Sequence, residues 1–211
     1  MKSMRINQGQ LSAYLKKHPT ASNQANLAIM QSQKQSEQAN SLPDWLNNLI
    51  FDDDTLALSI ATKNKELLNG SPHKLGLYAI GKNPKLYTSS KAEHYLQVAL
   101  FYMLEKAYPV EYELAYAIPN GSLRSNGVAG QLKAEGQKSG YPDIAIDIAL
   151  GGYFGFRLEV KTEKGKLRPV QREWEKRLSA GNYKTLVGYG FEECWGMISN
   201  YLSMPPTRAT L

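Results

Sequence analysis

Apolar positions along this chain change their spacing several times, and each spacing predicts a different element. Over residues 42–68, Trp45, Leu46, Leu49, Ile50, Leu56, Leu58 and Ile60 fall into two groups. They predict two short helices split near Asp52-Asp53-Asp54, with Asp54 as N-cap of the second. Leu96, Ala99, Leu100, Met103, Leu104 and Ala107 recur at helical intervals until Pro109 stops the run. Residues 111–118 alternate like a strand, closed by Pro119-Asn120-Gly121. A helix is expected over part of 123–135, then strands at 143–149 and 153–162 joined by a tight Gly151-Gly152 turn. Pro169 opens a helix that runs to about Ser179 and stops at Gly181. Residues 184–189 read as a short strand and 191–202 as a last helix. Helix, strand, hairpin, helix, strand, helix is an α/β order: a mixed β-sheet flanked by helices.

The beginning of the chain reads differently. Residues 20–41 are rich in Gln, Asn, Ser and Ala and carry few large apolar side chains, so they form a polar linker or a loosely held helix. Residues 1–75 are therefore taken as a helical or partly disordered N-terminal extension, and residues 76–211 as the main domain. Gly76-Leu77-Tyr78-Ala79-Ile80-Gly81-Lys82-Asn83 falls one residue short of a Walker A motif. Asn83 replaces the magnesium-binding hydroxyl and Pro84 follows at once, so a phosphate loop opening into a helix is not expected.

Composition narrows the class. Of 211 residues, 42% are hydrophobic, enough for a core, and Cys194 is the single cysteine. An intrachain disulfide and a thiolate zinc cage are thereby excluded, and Cys194, on an apolar helix face, is expected in the core. The polar first residues lack a signal-type apolar run and no stretch reaches the ~18 apolar residues of a membrane span. A soluble, cytoplasmic protein without membrane association is the expectation. His18, His73 and His94 are scattered, without the spacing of a histidine-based site. The formal charge is +6, and residues 157–184 hold nine Lys or Arg against four Glu, a net of +5. That clustering favours an anionic partner that the surface tracks by its phosphates.

The strand reading puts chemistry beside this charge. Alternation over 153–162 points Phe154, Phe156, Leu158 and Val160 one way and Arg157, Glu159 and Lys161 the other. In 143–149, Ile144, Ile146 and Ile148 share one face, and Asp143, Ala145 and Asp147 the opposite one. Antiparallel pairing across a short turn brings Asp143 near Glu159 and Lys161. Two carboxylates with an ammonium suit phosphodiester hydrolysis by Mg2+, held by Asp143, Glu159 and the Val160 carbonyl. The plainer alternative is a solvated strand face, and Asp147, nearer the turn, is read as solvated. The Asp52-Asp53-Asp54 triplet is read as a solvated turn in preference to a metal site.

Gly140-Tyr141-Pro142-Asp143 followed by Glu159-Val160-Lys161 resembles the PD-(D/E)XK nuclease superfamily and, more narrowly, its VRR-NUC family. Ile118-Pro119-Asn120-Gly121, Lys133-Ala134-Glu135-Gly136, Gly165-Lys166-Leu167 and Gln171-Arg172-Glu173-Trp174 stand in that family's order. The likeness covers about 91–202. It implies a restriction-endonuclease-like fold and a DNA nuclease dependent on Mg2+ or Mn2+, free-standing as in phages and bacteria, homodimeric, and acting on branched or four-way-junction DNA. It also implies that Glu93 joins the metal site and that Gln171 supports it. Ser90-x-x-Glu93 equally fits a helix capping box, and Gln171 shares a helix face with Trp174 and Leu178. Lys133, Lys164, Lys166, Arg168 and Arg172 are the candidate DNA contacts. The competing readings are a catalytically silent DNA-binding module and a partner-recruiting protein.

Overall fold

The computed structural model describes residues 42–119 and 126–208, and the chain divides at Tyr102/Met103 into two compact units. The expected linker at 20–41 and the turn at Asn120-Gly121 lie outside the described residues. No helix among the described residues is long and apolar enough to cross a membrane.

In the first unit, helices α1 (Asp44–Phe51), α2 (Asp54–Thr62) and α3 (Pro72–Lys82) precede the start of α4 (Ala92–Ala107). Leu46, Ile50, Leu56, Ile60, Leu77 and Ile80 are buried, as the helical spacing requires. The acidic triplet departs from expectation. Asp54 is already helical, so the cap falls one residue earlier, on Asp53. Asp53 Oδ1 accepts the Leu56 N–H at 2.9 Å, and Oδ2 accepts the Tyr102 hydroxyl at 2.6 Å. The middle carboxylate is thus buried and engaged rather than solvated. Residues 76–82 lie inside α3, which starts from Ser71 as cap and Pro72 at its first turn, so no phosphate loop forms there.

The second unit holds a four-stranded sheet in the order β1 (Ala115–Ala117), β2 (Ile144–Ile146), β3 (Phe156–Lys161), β4 (Lys184–Tyr189). β1–β2 and β2–β3 pair antiparallel, and β3–β4 parallel. Helix α5 (Asn126–Ala134) lies between β1 and β2 in the chain, α6 (Pro169–Ala180) between β3 and β4, and α7 (Phe191–Leu202) after β4. This is the mixed, helix-flanked α/β architecture expected from the pattern. Pro169 at the first turn of α6 and Gly181 at its end mark the boundaries anticipated from residue type.

Three strands are shorter than the alternation implied. Residues Glu111–Leu114 wind into a 3-10 turn, leaving β1 only three residues. Leu114, at the end of the turn, and Val110, just before it, remain exposed, so these apolar positions had no sheet face to join. β3 starts at Phe156, because Phe154, 60% exposed, lies outside the core. The β2–β3 ladder ends at the pair Ile146–Phe156, so residues 147–155 form a loop rather than a two-residue hairpin. Gly151 and Gly152 turn within that loop, both at positive φ.

Each sheet face has its own cover. Phe156 stacks on Tyr201 of α7, with ring centroids 4.9 Å apart, while Gly188 of β4 lies against Cys194 of the same helix. A Cβ on Gly188 would come within 2.6 Å of the Cys194 sulfur, so this approach needs glycine. Cys194 is fully buried, and burial pushes its thiol up to about 12, which suits a core side chain and not a nucleophile. The opposite face carries Arg157, Glu159 and Lys161, and α6 meets it through Gln171.

Candidate active site

Register places the carboxylates. Ile144 pairs with Leu158 and Ala145 with Arg157, so Asp143, one residue before β2, comes opposite Glu159 on the shared face. Asp143 Oδ2 confirms the register by accepting the Val160 N–H at 2.9 Å. Its backbone carbonyl accepts the Ile118 N–H at 2.8 Å, so the residue is tied to both flanking chain segments. Gly140, at φ +77°, passes so close to α6 that a Cβ would stand 2.7 Å from Val170 Cγ1.

Glu159 and Lys161 are 3% and 7% exposed, which rejects the solvated-face alternative. Lys161 Nζ donates to Glu159 Oε1 at 2.5 Å and to the Val160 carbonyl at 3.2 Å. Gln171, 5% exposed, donates from Nε2 to the same Glu159 oxygen, while its Oε1 accepts the Arg168 N–H at 2.8 Å. The amide is therefore oriented by the first turn of its own helix, with the nitrogen toward the carboxylate. Trp174, sharing the Gln171 face, is half-buried; its indole donates to the Ser139 carbonyl at 3.1 Å.

Glu159 Oε2 has a different environment. It is buried and has no hydrogen-bond partner among the described residues. Burial first, and the opposing Asp143 carboxylate second, push the Glu159 carboxyl up to about 7, against the lowering effect of Lys161. An anionic oxygen buried without a donor, facing a second carboxylate, is the condition a hard cation relieves. The residues present therefore fit such an ion. Among the described residues no group of three His, Cys, Asp or Glu side chains is placed to hold a metal. Two carboxylates with the remaining positions left to a carbonyl, water and substrate oxygens is the usual provision for Mg2+.

The other expected site residues lie on separate elements. Lys164, Lys166 and Arg168 are exposed on the segment that leaves Lys161 and enters α6, and Arg172 is exposed in the first turn of α6. Lys133 is exposed in the last turn of α5. Glu93 is exposed in the first turn of α4, within the first unit. Ser90 lies inside the 3-10 turn Ser89–Lys91, and its hydroxyl meets that of Thr88 at 3.0 Å.

Pattern reading missed the polar cluster beside the carboxylates. Asp147 is not merely solvated: its Oδ1 meets Arg157 Nη2 at 2.9 Å, and its Oδ2 accepts the Tyr116 hydroxyl at 2.8 Å. The available signal was the shared face of Arg157 and Asp147, a diagonal charge pair in which Asp147 lies two residues beyond Ala145, the residue aligned with Arg157. Tyr189, paired with Lys161 across β3–β4 and exposed, also escaped notice.

The second unit thus sets two facing carboxylates beside a buried ammonium and an orienting amide on one sheet face. Among solved structures, the chain is similar to one described as a VRR_NUC domain protein, with 25% identity and a TM-score of 0.49 over 56% of this chain and 96% of that one. No family model matches the chain, and no curated protein matches it.

Proposed function

We propose that the chain is a divalent-metal-dependent nuclease of the PD-(D/E)XK type, with a restriction-endonuclease-like second unit, that hydrolyses DNA phosphodiester bonds. The observation that carries this reading is Glu159 Oε2, buried without a donor beside Asp143 while Lys161 occupies the other Glu159 oxygen. Asp143, Glu159 and the Val160 carbonyl would hold Mg2+ or Mn2+. Such a cation, when bound, supplies Lewis acidity toward a phosphoryl oxygen and lowers the pKa of water. Lys161 contributes a fixed positive charge on the same face, where negative charge builds up on the phosphoryl oxygens during attack. Gln171 holds the Glu159 side chain in place, and the α6 first turn holds Gln171.

The basic side chains Lys164, Lys166, Arg168 and Arg172 are proposed to track the DNA backbone, with Lys133 as a further contact. Preference for branched or four-way-junction DNA, a homodimeric assembly and a contribution from Glu93 are the finer parts of the proposal. They rest on the resemblance of the sequence motifs.

The test is cleavage of linear, flap and junction DNA with Mg2+, Mn2+ or EDTA. Asp143→Asn, Glu159→Gln and Lys161→Ala are each expected to lower the rate by at least about 100-fold. DNA binding should survive in all three and remain salt-sensitive. Metal-independent cutting, or wild-type rates in the three variants, would refute the assignment. DNA binding with no cleavage under any metal would instead favour a silent DNA-binding module.

A further inference from the structure

Arg157 shares the face of Glu159 and Lys161, yet the cation-site reading gives it no task. It is 5% exposed, and a guanidinium removed from water to that extent is unfavourable unless its donors are used. Here they are used. Nη2 meets Asp147 Oδ1 at 2.9 Å, Nη1 donates to the Phe156 carbonyl at 2.8 Å, and Nε donates to the Tyr141 hydroxyl at 3.3 Å. The Tyr183 ring lies against the guanidinium, 4.5 Å from its centroid.

Two of these partners, Tyr141 and Asp147, lie on either side of one strand. Tyr141 lies two residues before Asp143, and Asp147 lies directly after β2 (Ile144–Ile146). The fork therefore holds the chain three residues before β2 and directly after it. Tyr141 is held on its other side by the edge of Trp174, with ring centroids 5.0 Å apart. Asp147 is tied to β1 by the Tyr116 hydroxyl. A three-residue strand has only three paired positions on each side with which to fix its ends. Asp143, which enters it, is held by the Ile118 and Val160 N–H groups, and the Arg157 fork adds a side-chain anchor on either side of it.

We propose that Arg157 is a positioning residue that holds the start of β2 so that the Asp143 carboxylate stays opposite Glu159. The inference rests on the metal-site reading only for its consequence, since the geometry it describes is present without a ligand. A lysine cannot replace this arginine, because one ammonium does not span three acceptors set around a planar fork.

The experiment uses the full chain with Arg157→Met, similar in length but without donors, and Arg157→Lys, which keeps the charge. Amide hydrogen exchange is followed in EDTA at Val160, whose N–H reports the Asp143 contact, and at Leu158, paired with Ile144 in the ladder. Val160 is expected to exchange at least about 10-fold faster in both variants while Leu158 changes far less. Calorimetric Mn2+ binding is expected to weaken by about 10-fold. If either variant does not fold, Tyr141→Phe and Asp147→Ala each remove one arm and should give the same Val160-selective change at smaller size. Equal acceleration at both amides, no acceleration, or full rescue by Lys would overturn the proposal. Absence of Mn2+ binding in the unmodified chain would remove the metal reading, and the exchange ratio would still decide the role of Arg157.

Discussion

Glu159 places two opposed environments on one carboxylate. One oxygen takes Lys161 and Gln171, while the other is buried without a donor and faces Asp143. Because burial dominates, its carboxyl is raised to about 7, above the ordinary 4.5. A raised acid binds its proton more tightly in the folded chain than in the unfolded one. Between about pH 4.5 and 7 the native state therefore holds more protons, and stability must fall as pH rises through that window. The stabilising contribution is complete below the unfolded value and lost above the folded one. Denaturant titrations in EDTA should show the metal-free chain losing on the order of 2 kcal/mol from pH 5 to 8, relative to Glu159→Gln. A difference between the two proteins that stays constant with pH would show that Glu159 does not titrate in this range. Residue-level reading reached this carboxylate because strand alternation fixes which side chains share a face. It did not reach Arg157 as a buried group, because periodicity assigns faces and says nothing about what later covers them.

At the scale of elements, the approach to β2 depends on glycine where the chain passes α6. Gly140 has φ +77° and almost no room: its added Cβ would meet Val170 Cγ1 at 2.7 Å. Gly136, at φ +98°, has open space around the same position. Gly136→Ala should therefore cost only the backbone strain, about 1 kcal/mol, whereas Gly140→Ala adds the steric conflict and should cost about 2–3 kcal/mol. Thermal or denaturant unfolding of the pair measures this, and equal losses would remove the close approach from the account. Element boundaries were legible where pattern and punctuation agreed. Lys184–Tyr189 and Phe191–Leu202 have the limits their spacing implies, and α6 runs from Pro169 to one residue before Gly181. They failed where alternation stood alone. The 3-10 turn at Glu111–Leu114 presents polar and apolar residues in the same alternating order as a strand, and only the absence of a facing layer tells them apart. At 153–155 the exposed Phe154 and the loop around Gly151-Gly152 delay pairing, a result of how residues 147–155 cross back to β3. The convergence of Asp143 with Glu159 survived these errors because it depends on the parity of the register, not on the length of the strands.

For the whole molecule, the distribution of charge matters more than its total. The net of +6 is nearly matched by the +5 carried in residues 157–184, the segment that includes β3 and α6. These charges are not equivalent. Arg157 and Lys161 are buried and bound within the protein, so they add little to a surface field. Arg177 is paired with Glu173 at 3.0 Å one helical turn away. Lys164, Lys166, Arg168 and Arg172 are exposed and lead from the end of β3 into the first turn of α6, next in sequence to Lys161. If they follow a nucleic-acid backbone, each contact with a phosphate releases about 0.9 counterion, and the slope of log affinity against log salt counts them. Replacing all four with Gln should reduce that slope by up to about 3.6 and weaken binding similarly across DNA sequences. Replacing Arg177 alone should change it by less than one contact, because its charge already has a partner. The measurement is a binding isotherm series from low to moderate salt on the full chain, with Asp143→Asn in the background to prevent cleavage. A slope unchanged by the fourfold substitution would move the DNA path away from this surface, however well the carboxylates bind a metal.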